Sequence, residues 1–154
     1  MKDLPQVVNA YMSQTTGLKE HCARCLRTER WGGSVVLMIV DAAFTSIGLN
    51  YFTAVVPRVM KFKEELVDCG KVRSLESLSN LPEEKAETIW RNRRSWQAAK
   101  SIASYLCELG KTESLGERRV FRFWAANSQL ESWRENPIGK ISGVGITTFQ
   151  YLRM

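Results

Sequence analysis

The helical spacing of apolar residues is the feature that most constrains how this chain folds. Ile102, Tyr105, Leu106 and Leu109 recur at intervals that place them on one face of a helix. The same spacing returns in other segments, whereas the strict alternation typical of strands is scarce. We therefore predict an all-α protein, with residues 1–154 forming a single helical domain built as a bundle.

Capping residues, prolines and glycines predict where the helices begin and end. Ser34 is a suitable N-cap for the apolar segment from Val35 to Ile47, and Gly48 is a natural stop after it. Asn50 can cap the next segment, in which Pro57 predicts a kink or a new helix start. Further helices are expected at Leu4 to Met12, at Ser74 to Leu78, after Pro82, from a Ser95 cap to Leu109 with Gly110 beyond it, at Glu117 to Ala126, at Asn136 to Ser142 and from Ile146.

Positive charge is concentrated in the second half of the chain. The net charge is +6, and residues 71–154 hold 14 Lys and Arg against 9 Asp and Glu. Such an excess favours an anionic partner such as nucleic acid, although a charge of this size also serves solubility alone. No segment reaches the roughly 18 apolar residues of a membrane span, and no signal peptide is visible. We therefore expect a cytoplasmic protein that does not interact with membranes.

The cysteines fit reduced thiols in such a protein. Cys22 and Cys25 form a Cys-x-x-Cys motif, while Cys69 and Cys107 lie far away in the sequence. Three alternatives stay open for the motif, namely a shared zinc ion, a disulfide or ordinary thiols. A closed zinc site needs four ligands and the single histidine excludes a multi-histidine site, so we predict no metal site. No Walker loop or dinucleotide-binding fingerprint appears, so we predict no organic cofactor.

The stretch Asn136 to Met154, NPIGKISGVGITTFQYLRM, places two glycines in a predicted turn between helices. Gly143 and Gly145 permit positive backbone angles and leave the neighbouring amides uncovered. Those amides lie at the N-terminus of the second helix, where free donors and the helix dipole favour a DNA phosphate. Thr147 and Thr148 add hydroxyls for further phosphate contacts. The alternative is that these glycines serve only the geometry of a tight turn.

Residues 141–149, ISGVGITTF, resemble the hairpin of the helix-hairpin-helix DNA glycosylases, the endonuclease III-like superfamily. In that pattern an apolar residue precedes Gly-Val-Gly, and Thr or Ala follows after two variable residues. The order of the upstream helical segments is also similar, so the resemblance extends over residues 35–154. It implies a DNA glycosylase fold with the helix-hairpin-helix at 136–154, double-stranded DNA as the partner, and a monovalent cation at the hairpin carbonyls.

The resemblance assigns no catalytic residue within this chain. Bifunctional family members use a Lys in the hairpin helix to attack the sugar, and Thr147 stands at that position. The Asp that assists departure of the base would lie beyond Met154, since seven residues follow Thr147. Either the chain is incomplete at its C-terminus or it is a natural non-catalytic relative. The family's iron–sulfur cluster needs C-terminal cysteines, and none follows Cys107.

Basic residues around Trp90 and Trp96 are further candidates for contacts with DNA. The two tryptophans either stack on a base or belong to the core, and we favour the core. Four side chains could contact the phosphate backbone: Arg91, Arg93, Arg94 and Lys140.

Asp41 is an acidic residue in the middle of an apolar helix. A carboxylate in that position must be paired, hydrogen-bonded or close to the surface. In the glycosylases that the chain resembles, a side chain near the end of this helix wedges into DNA as the base flips. By pattern that region is Ala43 to Thr45, so Phe44 is either a wedge or, as we favour, a core side chain.

Three functions are compatible with the sequence. The resemblance favours a DNA-binding domain like that of a monofunctional glycosylase of base-excision repair. The alternatives are a DNA-binding module without chemistry and a helical protein–protein adaptor. Salt separates them, because phosphate binding weakens steeply as salt rises and an apolar protein interface does not. The sequence specifies neither a damaged base nor an oligomeric state.

Overall fold

A computed structural model describes residues 3–14, 20, 23–24, 27, 29–46 and 48–154, and within these residues the chain is helical and without strands. The prediction of an all-α protein is confirmed. None of the helices in these ranges is long and apolar enough to cross a membrane. In chain order the helices are α1 (Leu4–Gln14), α2 (Val35–Thr45), α3 (Val56–Phe62), α4 (Leu75–Ser79), α5 (Glu83–Ile89), α6 (Arg93–Thr112), α7 (Glu117–Asn127) and α8 (Ile146–Arg153).

Shorter turns connect some of these helices. Two 3-10 turns, Arg30–Gly33 and Ile138–Lys140, precede α2 and α8 respectively. Two π-helical turns, Tyr51–Val55 and Lys63–Val67, extend α3 at its two ends. The turns before α2, α3 and α8 bear on the site described below.

Helix α2 forms the centre of the core. All residues from Val35 to Phe44 are buried, and the helix packs against α3, α4, α6, α7 and α8. A helix that is apolar on every side is expected to be enclosed in this way. The Phe44 ring meets the edges of Trp90 and Trp96 at centroid distances of 4.3 and 4.8 Å. Phe44 is therefore a core residue and the wedge alternative is wrong, and both tryptophans pack against the same core.

Two predicted N-caps begin helical segments as expected. The Ser34 hydroxyl accepts the Leu37 amide at 3.4 Å, and the Asn50 side chain accepts the Thr53 amide at 3.0 Å. Pro57 lies in the first turn of α3, directly after a π-helical turn. Pro57 therefore falls where the helical segment changes from π to α geometry, because a proline has no amide to donate to the preceding turn.

The boundaries of α6 differ from the prediction at both ends. Asn92, not Ser95, is the N-cap, because the Asn92 side chain accepts the Ser95 amide at 3.1 Å. At the other end the helix continues through Gly110 instead of stopping before it. Gly110 is buried, and a Cβ there would lie 3.1 Å from the Leu115 carbonyl oxygen. Its small size serves packing against the next loop and not helix termination.

The segment before the hairpin glycines is also less helical than predicted. Instead of a helix over 136–142, it forms the single 3-10 turn Ile138–Lys140. The side-chain oxygen of Asn136 accepts the Ile138 amide at 3.0 Å at the start of this turn. Gly139 packs so closely on Trp133 that a Cβ would overlap the Trp133 carbonyl. Close packing at a residue with low helix propensity explains why the turn does not lengthen into a helix.

Candidate functional site

The two hairpin glycines are required for different reasons. Gly143 has a φ of +93°, and a Cβ there would lie 3.3 Å from Arg94 Cγ and 3.4 Å from Ala98 Cβ. The left-handed angle and the close packing on α6 both demand glycine. Gly145 has a φ of −102°, and a Cβ there would meet nothing within 4 Å. The fold therefore imposes no glycine at position 145.

Gly145 is the N-cap of α8, which begins at Ile146 as predicted. A glycine cap provides no side-chain acceptor for the amides of the first turn, so their donors stay open to an anion. Gly145 and Thr147 are both exposed. Thr148, by contrast, is 2% exposed. This burial argues against the phosphate contact predicted for that side chain.

The four basic candidates differ in how they are placed. Arg94 lies against Gly143, so the fold brings these two predicted residues together. Arg91 and Lys140 are exposed. Arg93 is exposed but faces Glu87 and Glu83, with its Nε 3.2 and 3.9 Å from their carboxylate oxygens. Arg93 already has anionic partners within the chain, which makes it the weakest of the four candidates.

Asp41 is the centre of a buried hydrogen-bond network. The residue is fully buried, and its Oδ2 accepts the Trp31 indole N–H at 2.8 Å. The same oxygen accepts the hydroxyl groups of Tyr151 at 2.8 Å and Tyr51 at 3.2 Å. Of the three alternatives for this carboxylate, paired, hydrogen-bonded or close to the surface, the structure shows hydrogen bonding. The network connects α2 to α8 and to the turns that precede α2 and α3.

Both phenols of this network have a raised pKa. Burial raises the pKa of Tyr151, and the Asp41 charge and the hydrogen bond with Tyr51 raise it further. Burial is also the largest cause of the raised pKa of Tyr51, while its hydrogen bond with Tyr151 acts in the opposite direction. The two phenol oxygens lie 3.2 Å apart. Because each phenol keeps its proton, each can donate to the Asp41 carboxylate.

The turn that carries Trp31 is backbone-strained. Trp31 has a φ of +51°, followed by +66° at Gly32 and +82° at Gly33. A bulky side chain rarely adopts this left-handed region, and its indole hydrogen bond to Asp41 helps to hold it there. The preceding residue, Arg30, is consequently placed beside Tyr151, with its guanidinium carbon 4.4 Å from the ring centroid.

A cavity of about 750 Å³ opens between these elements. This volume lies within the usual range for sites that bind small molecules. Asp41 and Arg30 contribute to its wall, and Thr147 places the first turn of α8 on it. Four aromatic side chains also line it: Trp31, Tyr51, Phe52 and Tyr151.

Sequence reasoning predicted Thr147 as a phosphate contact and noted Asp41 only as a carboxylate that needs a partner. It missed the aromatic side chains and Arg30. A buried carboxylate requires donors, and the indole N–H and the phenol O–H are suitable donors. This requirement is the one sequence signal that indicates aromatic donors near Asp41. It does not say which of the chain's five Trp and four Tyr residues supply the donors.

The described ranges contain no group of three or more His, Cys, Asp or Glu side chains arranged to hold a metal ion. Cys22 and Cys25 lie outside these ranges, and Cys69 and Cys107 are free thiols. At the hairpin turn, the Ile141 carbonyl accepts the Val144 amide at 3.0 Å. A monovalent cation there would depend on backbone carbonyls, and its presence stays a prediction.

Comparison of the chain with protein-family models, with curated proteins and with solved structures gives no match. The geometry of the site therefore carries the functional argument, and the resemblance of the ISGVGITTF hairpin stays a prediction.

Proposed function

We propose that this chain is a DNA-binding domain of the kind found in the glycosylases of base-excision repair. In this proposal the turn before α8 binds a phosphate, and the adjacent cavity accepts a base turned out of the duplex. The proposal rests mainly on the position of Gly145. It is an exposed glycine with no conformational or steric need for glycine, and it caps a helix whose first turn borders an aromatic cavity.

The phosphate contact follows from the chemistry of a helix N-terminus. The amides of the first turn of α8 point toward the cap, and the helix dipole adds a partial positive charge. Without a Cβ at Gly145, a phosphate oxygen can approach these amides closely. Thr147 offers an exposed hydroxyl in the same turn, and Arg94 lies beside Gly143. These groups are suited to one phosphate and carry no sequence information.

The cavity is large enough to hold a base and has aromatic side chains in its wall. Its aromatic walls suit stacking, which contributes about 1–3 kcal/mol per base in proteins that bind single strands. Thr147 stands where bifunctional glycosylases carry the lysine that attacks the sugar, and it lies on the cavity wall. This position supports the cavity as the side on which a flipped nucleotide would lie. The proposal concerns binding, and no residue of the chain is assigned to bond cleavage.

Phe52 replaces Phe44 as the candidate for the wedge. It is 78% exposed, lies on the cavity wall and packs its ring edge to face with Tyr51 at a centroid distance of 5.3 Å. An exposed aromatic ring beside a base-sized cavity can fill the gap that a flipped base leaves. Phe52→Ala is expected to weaken binding to a duplex with an abasic analogue. Phe123→Ala, which truncates a 39% exposed phenylalanine on α7, should not.

A matched pair of glycine substitutions tests the phosphate contact. Gly145→Glu is compared with Gly116→Glu, because Gly116 caps α7 without a side chain and also has nothing within 4 Å of a Cβ. Both variants place a carboxylate at a helix N-terminus, which favours folding. By fluorescence anisotropy with an abasic-analogue duplex, Gly145→Glu should weaken binding by roughly tenfold or more, the loss of one charge-assisted contact.

Gly116→Glu controls for the added negative charge, and we expect it to change that affinity less than about twofold. Circular dichroism should show unchanged helicity in both variants. If Gly145→Glu binds the duplex as well as Gly116→Glu does, the turn before α8 is not the phosphate site.

A further inference from the structure

Arg30 is a buried cation whose hydrogen-bonding groups are unused. The residue is 7% exposed, and Nε, Nη1 and Nη2 are shielded from solvent without a partner among the residues that the structure describes. Burying a guanidinium in this way is unfavourable, because its lost hydration is not replaced by protein acceptors. Arg30 therefore has five N–H donors available to a ligand.

The fold places this guanidinium on the wall of the cavity. Tyr151 covers one face of the guanidinium at 4.4 Å, and Arg30 is one of the residues that line the cavity. Because its nitrogens are shielded from solvent, the side chain would have to turn toward the cavity to reach a bound group. The position is set by the left-handed turn at Trp31 and Gly32, which the Trp31–Asp41 hydrogen bond helps to hold. Backbone strain of this kind is concentrated at functional sites.

Asp41 contributes an unused group of the opposite type. Its Oδ2 receives three donors, whereas its Oδ1 is buried and receives none from the described part of the chain. Because Asp41 and Arg30 both line the cavity, its wall offers an unused acceptor and unused donors. Two arginines, Arg24 and Arg30, and two acids, Glu29 and Asp41, line the cavity, so their charges balance and a neutral ligand suits it better than free phosphate.

We infer that the cavity recognises the lactam edge of a nucleobase, a ring carbonyl beside a ring N–H, as in uracil or hypoxanthine. The carbonyl would accept from Arg30, and the N–H would donate to Asp41 Oδ1. Cytosine and adenine present an amino donor beside a ring acceptor. Held by the sugar in the same orientation as uracil or hypoxanthine, they would place their donor against Arg30 and their acceptor against Asp41 Oδ1. The inference rests on the proposed function, because a base must leave the duplex to bring this edge into the cavity.

Two duplexes that differ at a single base test this recognition. One carries uracil and the other cytosine, each opposite cytosine, so that neither base is stably paired. In fluorescence anisotropy at about 50 mM salt, the full chain is expected to bind the uracil duplex roughly tenfold more tightly, the ratio for one hydrogen bond to a charged group.

Substitutions at Arg30 test whether its donors cause the difference in affinity between the two duplexes. Arg30→Met should lower the ratio to about one, since the donors are lost. Arg122→Met, which removes an exposed cation from α7, should leave it unchanged. Because a variant at a buried residue can lose its fold, Arg30→Lys is measured beside it, with helicity checked for each. Lysine keeps the charge but not the planar fork, so we expect a reduced ratio there as well.

The outcomes separate this inference from the proposed function. Equal affinity of the wild-type chain for the two duplexes, or a ratio that Arg30→Met leaves unchanged, overturns lactam recognition while DNA binding stands. Absence of salt-sensitive binding to either duplex overturns the proposed function instead. In that case uridine and cytidine are titrated separately while the Arg30 Nε–Hε resonance is followed by NMR. A response to uridine alone supports the recognition, and an equal response or none contradicts it.

Discussion

Helices α7 and α8 begin in the same way, yet their N-termini have different surroundings. Each is capped by a glycine, Gly116 or Gly145, that has no steric neighbour. The first turn of α7 contains Glu117, whose carboxylate also accepts the Leu75 amide at 2.7 Å. The first turn of α8 has no acidic residue and lies on the aromatic cavity through Thr147.

The difference shows how the chain itself can provide or withhold an anion at a helix terminus. At α7 the carboxylate of Glu117 supplies the negative charge that a helix N-terminus favours. At α8 that charge is left to an external group, which is consistent with a binding role. The four predictions that follow test this contrast, beginning with the network that holds α8 in place.

Asp41→Ala should have the largest effect on stability. It leaves the Trp31 indole and two phenols without their common acceptor in a buried site and removes the tie between α2 and α8. We expect the free energy of unfolding to fall by about 3 kcal/mol or more. Urea denaturation measures this, with Asp68→Ala at an exposed acid as the control. A loss below about 1 kcal/mol would show that the network does not stabilise the fold.

Gly143→Ala and Gly145→Ala should differ in their effect on stability. Alanine at position 143 is strained by the positive φ and crowded by α6, so we expect a loss of about 1–2 kcal/mol. Alanine at position 145 fits the observed φ and meets nothing, so the change should stay within about 0.5 kcal/mol. Equal losses in thermal unfolding would remove the distinction between a structural glycine and a binding glycine.

Glu117→Gln should destabilise the fold by about 1 kcal/mol, because it weakens the contact with the Leu75 amide and removes the acidic group at the start of α7. Gly145→Glu should have the opposite sign, a gain of about 0.3–1 kcal/mol, because it adds such a group to α8. Chemical denaturation of the two variants checks both signs. A loss of stability in Gly145→Glu would indicate that its carboxylate does not reach the α8 N-terminus.

High pH should weaken the same Asp41 network. The pKa of Tyr151 is raised in the folded chain, so the folded state holds this proton where an unfolded tyrosine, with a pKa of about 10, has lost it. The contribution of Tyr151 to the free energy of unfolding is complete below pH of about 10 and falls as the pH rises above it. In urea titrations across this range, Tyr151→Phe should show a shallower decline than the wild-type chain. Identical slopes would contradict the assignment.

The sequence predicts local features of this fold, such as helix caps, where a single residue determines them. Ser34 and Asn50 cap helical segments because their side chains reach amides three positions away. The Asp41 carboxylate needs hydrogen-bond donors from elsewhere in the chain because the rest of its helix is apolar. The prediction of Ser95 as the cap is wrong because Asn92, three residues earlier, accepts the Ser95 amide, and sequence alone does not rank two cap residues so close together.

The candidate site was only partly predictable, because most of it is assembled across the chain. Tyr151 lies 110 residues from Asp41, so no local pattern indicates their hydrogen bond. In the sequence, nothing distinguishes Arg30 from the other basic residues. In the fold, the turn at Trp31 places it beside Tyr151. The glycines at 143 and 145 look alike in the sequence. Their backbone angles and neighbours distinguish them.

The salt dependence of DNA binding tests the central claim most directly. Fluorescence anisotropy would measure the affinity of the chain for a duplex with an abasic analogue and for the undamaged duplex, at about 50 and about 200 mM salt. If about three phosphates are neutralised, we expect affinity to fall roughly 40-fold over that range, with preference for the abasic duplex at both concentrations. Absence of binding at low salt, or binding that salt does not change, would contradict a phosphate site at α8 and favour a protein–protein adaptor.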